Sequence, residues 1–207
     1  MKPKSAVQWS TAGDSVENVA VRTFIAVPIP GMVQKQARLI QGRLQAVGGD
    51  VKWVDPSQIH ITLKFLGGVE SALLDALKEA VTAAIHVQPP FSLRLSGLGT
   101  FPSTGVPRVI WAAIGGELHR LLSLQKEMEA ALVEKGFPPE ERSFSPHVTL
   151  GRVRSPRNIA QLKGLLSSME GVDLGEFPVA EVLVMKSELL PSGPRYTVLH
   201  RASLPVA

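Results

Sequence analysis

The chain has 207 residues, of which 44% are hydrophobic and 19% charged. That size and balance fit one medium domain, or two small lobes sharing a core, and exclude wholesale disorder. Lys and Arg number 22 against 18 Asp and Glu, a net charge of +4 that permits a phosphate-rich partner without by itself arguing for one. Cysteine is absent, which excludes disulfide frameworks, thiolate metal sites and a cysteine nucleophile. A cytoplasmic protein is expected.

Residues 1–20 are polar and read as a flexible leader; two lysines are followed by no apolar run of the kind an export signal needs. The apolar stretch at 24–33 carries Pro28, Pro30 and Gly31 and falls far short of the roughly 20 residues that span a bilayer. No membrane partner is expected, and a monomer is.

Residues 21–29 begin with alternation and end in a nearly continuous apolar run, as a half-buried strand does. Val33, Ala37, Ile40, Leu44 and Val47 then recur at three- and four-residue steps, predicting an amphipathic helix closed by Gly48 and Gly49. Strand character returns over 52–66, with a turn at Asp55, Pro56 and Ser57. A second helix is predicted at 73–84 and ends before Pro89 and Pro90. Strands follow at 91–98 and 109–114, a helix at 118–132, a strand at 144–153 and a short helix at 159–169. Two more strands, 179–189 and 196–204, are joined by a turn rich in proline. Several strands adjoin through short turns, so α+β with antiparallel sheets fits better than a parallel α/β fold.

One internal echo organises the chemistry. His60-Ile-Thr-Leu63 and His147-Val-Thr-Leu150 are nearly the same tetrapeptide, 87 residues apart, each in a strand followed by a helix. Such an echo predicts a duplicated body of two pseudo-symmetric lobes. In a strand, residues i and i+2 share a face. His60 and Thr62 therefore project together, as do His147 and Thr149, while Ile61, Leu63, Val148 and Leu150 face the core. Each unit offers an imidazole, which moves protons near neutral pH, beside a hydroxyl, which donates to a phosphate oxygen. If the two units face one another, two histidines flank one phosphorus: one activates water and the other protonates the leaving oxygen. A lone H-x-T is weak evidence; two copies using two of five histidines are not. His86, His119 and His200 have no such partner and read as ordinary histidines. Phe24 and Phe65 read as core.

Through these motifs and their flanks the chain resembles the two-histidine phosphoesterases, in the branch of RNA 2′,3′-cyclic phosphodiesterases historically called 2′–5′ RNA ligases. The segments that carry the resemblance are RTFIAVPIP (22–30), KWVDPSQIHITLKFLG (52–67), FPSTGVPRVIWAAI (101–114), FSPHVTLGRVR (144–154) and SELLPSGPRYTVLHR (187–201). The likeness implies a bilobal fold, with antiparallel sheets around a central cleft and helices outside. It implies His60 as proton donor to the leaving oxygen, His147 as the acceptor that activates water, and Thr62 and Thr149 as phosphate-binding groups. Arg152 and Tyr196 stand where family members often place a cleft arginine and tyrosine. Simple alternation turns Arg152 away from His147 unless Gly151 marks a bulge. Lys52 replaces a commoner arginine, keeping charge but losing a bidentate fork.

The expected activity is hydrolysis of RNA or nucleoside 2′,3′-cyclic phosphates to 2′-phosphates, with reversible 2′–5′ ligation as a family side reaction. No metal ion or other cofactor is expected, since neither motif carries a carboxylate. The partner is an RNA or oligonucleotide with a cyclic phosphate end. Two alternatives stay open: the same chemistry on 2′–5′-linked oligonucleotides or ADP-ribose cyclic phosphate, and an RNA-end-binding module without turnover.

Overall fold

The computed structural model describes residues 20–86, 88–191 and 193–205. The expected leader therefore falls, but for Ala20, outside the described residues. Alternating stretches become strands β1 (Ala20–Pro28), β2 (Val51–Trp53), β3 (His60–Glu70), β4 (Phe91–Phe101), β5 (Val109–Gly116), β6 (His147–Val153), β7 (Asp173–Val179), β8 (Glu181–Leu190) and β9 (Gly193–Ser203). Stripes at helical spacing become α1 (Gly31–Gln45), α2 (Leu74–His86), α3 (Leu118–Glu134) and α4 (Ile159–Ser167). In α1 the predicted stripe is the buried face, through Val33, Ala37, Ile40 and Leu44. That helix ends ahead of Gly48, whose φ of 72° lies in the left-handed region that glycine enters without a steric penalty.

The pairings among the described residues are antiparallel, in the order β7-β4-β5-β6-β3-β1-β8-β9, with β2 beside β6. Two halves of four strands are evident, β6-β5-β4-β7 and β3-β1-β8-β9. They meet where β3 and β6 pair through Ile61 and Val148, both fully buried. The expected α+β class with antiparallel pairing and outer helices is what the chain adopts. One detail differs. The motif strands do not belong to separate sheets, because that central pairing makes the sheet continuous, with nine strands. Helix packing ties the halves further: α1 follows β1 yet lies against β7 and α4, while α3 follows β5 yet lies against α2 and β3.

β7 is absent from the sequence-based expectation. Asp173, Gly175 and Pro178 make it a poor strand by local preference, but it lies at the edge of the sheet, where proline forfeits no needed ladder bond. Leu174, Phe177 and Val179 supply the burial that overrides preference. The strand expected from 144 begins only at His147, because Phe144, Ser145 and Pro146 form an extended lead-in without ladder pairing.

A buried ion pair anchors the loop at 138–140 that precedes this lead-in. The Lys64 ammonium donates to Glu129 Oε1 at 2.5 Å and to the Pro138 carbonyl at 2.8 Å. The same Glu129 oxygen accepts the Glu140 N–H at 2.7 Å. Lys64 is buried, so removing either partner strands a charge at a cost of about 3–5 kcal/mol.

The seam generates a stability prediction. Ile61→Ala opens a cavity where the halves join and should lower unfolding free energy by about 2–5 kcal/mol. Urea denaturation followed by tryptophan fluorescence measures it; a loss below about 1 kcal/mol would show that the seam carries little packing.

Candidate active site

The antiparallel register at Ile61 and Val148 dictates what lies beside them. One residue out on either side, Thr62 comes opposite His147 and His60 opposite Thr149, all four on the face that Ile61 and Val148 avoid. Opposed residues on antiparallel strands stand roughly 4.5–5.5 Å apart. The four side chains thus ring one patch of that face. The two halves of the ring are built alike. His60 Nδ1 lies 2.8 Å from the Gln58 carbonyl and His147 Nδ1 lies 2.7 Å from the Ser145 carbonyl. A carbonyl only accepts, so each Nδ1 carries its hydrogen and each Nε2 is left to exchange protons.

Each motif is followed by a one-residue bulge. Phe24 pairs Phe65 and Ile25 pairs Lys64, but Ala26 pairs Thr62, so Leu63 is skipped. Likewise Ile110 pairs Gly151 while Trp111 pairs Thr149, so Leu150 is skipped. The Leu150 carbonyl is not orphaned: it accepts from Gln41 Nε2 at 2.9 Å and from the Val54 N–H at 2.9 Å. Each bulge inverts the alternation beyond it. Lys64 turns under the sheet, and Phe65 and Arg152 emerge on the side of the histidines.

The surroundings of the two imidazoles differ. Phe24 stacks on His60 with ring centroids 4.9 Å apart, and Tyr196 meets the same imidazole edge-on at 5.5 Å. Among the described residues His147 has one aromatic neighbour, Phe101, edge-on at 5.0 Å, which in turn leans on Trp111 at 5.1 Å. Trp111 lies flat over Gly99, where a Cβ would sit 2.3 Å from the indole. A cavity of about 200 Å³ opens beside His60, lined by Phe24, Pro28, Gln34, Gln58, Met185 and Tyr196 among others. A second hollow of about 250 Å³ lies beyond Phe65 and touches none of the four central residues. Among the described residues no three His, Asp or Glu side chains gather as metal ligands, and no helix is long and apolar enough to cross a membrane.

The family model described as LigT like Phosphoesterase matches residues 27–111 and 116–196. The chain belongs to the LigT-like phosphoesterase family. It is 35% identical over 177 residues to a Methanothermobacter thermautotrophicus protein named RNA 2′,3′-cyclic phosphodiesterase, covering 86% of this chain and 95% of that one. A Thermus thermophilus protein of the same name is 36% identical over 191 residues, covering 89% and 90%. Among solved structures, a Thermus thermophilus protein superposes with a TM-score of 0.74 at 33% identity, over 88% of this chain and 97% of that one. Escherichia coli LigT in its apo form shares the fold, with a TM-score of 0.72 at 24% identity, over 90% and 98%.

In this LigT-like phosphoesterase Tyr196 stands against His60, and Arg152 stands near Tyr196. Tyr196 borders the His60 cavity, and burial raises its phenol pKa, while the charges of Arg152 and Arg22 pull it down. Arg152 is therefore near Tyr196, on the cleft side, for the reason that the bulge at Leu150 supplies. Phe65 corrects the expectation of a core residue: it is 60% exposed, because the bulge at Leu63 turns it outward. Phe24 is buried as expected, but against His60. His200 is structural, its Nε2 2.8 Å from the Thr82 hydroxyl between α2 and β9.

Several residues were not singled out from sequence: the Gln58 and Ser145 carbonyls, Gln41, Lys64, Phe101 and Trp111. The carbonyls had a signal, since both precede their histidine by two residues. The others had none, because their role comes from packing between distant strands.

Burial lowers the His60 pKa below the ordinary 6.5; the Gln58 carbonyl opposes this and the charge of His147 adds to it. A histidine depressed in the fold protonates more readily when unfolded. His60 thus contributes stability above about pH 6.5 that is lost as pH falls toward its folded value. NMR titration should place the His60 midpoint below 6.5. In Phe24→Ala, where water reaches the ring, it should move upward. A midpoint unchanged by that substitution would exclude burial as the cause.

Proposed function

We propose that the protein opens 2′,3′-cyclic phosphates at RNA or nucleoside ends to 2′-phosphates by metal-independent acid–base catalysis. The observation that carries this reading is the ring of two imidazoles and two hydroxyls, with both Nδ1 atoms tied back by carbonyls. Relatives at 35% and 36% identity bearing the name of that activity support the substrate class.

His147 Nε2 takes a proton from water as the oxygen attacks phosphorus. The P–O3′ bond breaks in line, and the departing O3′ receives the proton held by His60 Nε2. The products are a 2′-phosphate and a free 3′-hydroxyl, and the two histidines have exchanged protonation states. Thr62 and Thr149 donate to the non-bridging oxygens, and Arg152 and Tyr196 bound the substrate at the cleft edge. The depressed pKa of His60 fits a donor once substrate is present. In the empty cleft burial and the charge of His147 disfavour imidazolium, whereas a phosphate anion between the rings favours it. An acid made weakly basic by its surroundings also gives its proton up readily to an alkoxide. The five-membered cyclic ester is strained, which lessens the need for charge neutralisation by a metal.

Incubation with 2′,3′-cyclic AMP and identification of the product isomer tests the reaction; a 3′-phosphate product or no turnover would refute it. His60→Ala and His147→Ala should each lower kcat by about 10²–10⁴-fold with the fold retained. The double variant should lose less than the product of the two, because both groups act on one transition state. Turnover should fall on both the acid and alkaline sides of neutrality. It should also survive exhaustive treatment with a chelator; activity that vanishes and returns with one divalent ion would replace the acid–base mechanism.

A further inference from the structure

The proposed reaction uses Arg152 but leaves unused two basic residues that flank it at one edge of the cleft. Lys52 on β2 is the cross-strand partner of Arg152 on β6. Arg154 follows two residues on, its N–H bonded to the Asp50 carbonyl at 2.8 Å, so alternation returns it to the side of Arg152. All three are exposed. Among the described residues, ion pairs engage Lys64, Lys78, Arg94, Arg120, Lys135, Arg142, Lys186, Arg195 and Arg201, but none engages these three.

Two observations place Lys52 and Arg152 on the cleft side. The Lys52 ammonium lies 3.9 Å from where a Cβ would stand on Gly193, three residues before Tyr196. Arg152 acts electrostatically on Tyr196, which borders the cavity beside His60. The opposite edge has another character. Past Phe65 it is lined by Pro138, Pro139, Glu140, Glu141 and Arg142, whose guanidinium is already paired with Glu140.

A 2′,3′-cyclic phosphate occupies both lower ribose oxygens, so it exists only on the terminal nucleotide, and the chain continues from there through the 5′-oxygen alone. The next phosphate must therefore leave by one edge of the cleft. Past Phe65 stand an aromatic ring, two carboxylates, Arg142 and the single exposed Arg22 opposite Gly68, whereas the other edge offers three cations in one run, none in an ion pair among the described residues. We infer that Lys52, Arg152 and Arg154 form a subsite for the 5′-phosphate of the terminal nucleotide and the phosphate beyond it. Arg154 follows the last residue of β6 and its N–H continues the pairing to Asp50, so it lies roughly 6.7 Å from Arg152, about the stride of one extended nucleotide. The row selects RNA ends over cyclic mononucleotides, which carry no 5′-phosphate. This rests on the phosphodiesterase reading for what the substrate is, but its test does not need turnover.

Calorimetry on the full chain compares adenosine 2′-phosphate with adenosine 2′,5′-bisphosphate, which differ only in the group the row would hold. The bisphosphate should bind about tenfold more tightly, through charge-assisted contacts to exposed cations. The gap should narrow as salt rises. In the double variant Lys52→Met, Arg154→Met the ratio should fall to about twofold or less, whereas Lys52→Arg should keep it. A ratio near one in the unaltered protein, or one that survives the double variant, overturns the subsite. The bisphosphate preference without any opening of cyclic AMP would uphold the subsite and refute the phosphodiesterase reading; rapid opening without the preference would do the reverse.

Discussion

Everything about the site depends on how little β3 and β6 touch. Their single pairing, Ile61 with Val148, is enough to set the register of both motifs against each other. Had the strands paired along their length, the ladder would close the gap and bring successive side chains into a flat row. Instead the ladder is confined to one pair, and His60, Thr62, His147 and Thr149 cluster around it on one face. The bulges at Leu63 and Leu150 enforce that confinement, because each removes one residue from the ladder and bends its strand away. The carbonyl so displaced at Leu150 is recaptured by Gln41 and Val54, which keeps the irregularity from leaving a buried acceptor unpaired.

The pseudo-symmetry is close at the backbone and broken in the side chains. Both histidines use the same tether, a carbonyl two residues upstream. Beyond the bulges the equivalent positions diverge: Lys64 matches Gly151, and Phe65 matches Arg152. Lys64 reaches Glu129 and the Pro138 carbonyl, whereas Gly151 leaves room for Val51 and Trp53, so close that a Cβ would meet Val51 at 2.7 Å. Phe24 and Tyr196 desolvate one imidazole, while the other keeps a single aromatic neighbour among the described residues. Duplication thus supplies two like imidazoles, and the neighbours make them unequal. A reaction that needs one acid and one base requires that inequality.

The same breaking of symmetry gives the cleft a direction. Apolar and acidic groups gather past Phe65, and unpaired cations gather past Arg152. A substrate with one end at phosphorus and a chain of phosphates behind it meets two unlike edges.

The four central residues were legible without coordinates, because strand alternation places His60 with Thr62 and His147 with Thr149 whatever surrounds them. The duplicated tetrapeptide likewise determined that two equivalent units exist. Helix stripes such as Val33, Ala37, Ile40 and Leu44 fixed which faces are buried, since that periodicity is a property of the backbone alone. Alternation failed just where the ladder is irregular. A bulge is a relation between two strands, so no pattern within β6 could decide which way Arg152 points, and none within β3 could tell that Phe65 is exposed. β7 was illegible for a related reason: its Gly and Pro are tolerated only because the strand lies at an edge. The aromatic surroundings of His60 come from β1 and β9, elements remote in sequence. Sequence by itself determined which imidazoles and hydroxyls share a face. Only the tertiary structure decided how near they stand, which imidazole is stripped of water, and which side of the cleft is charged, because these are relations across strands.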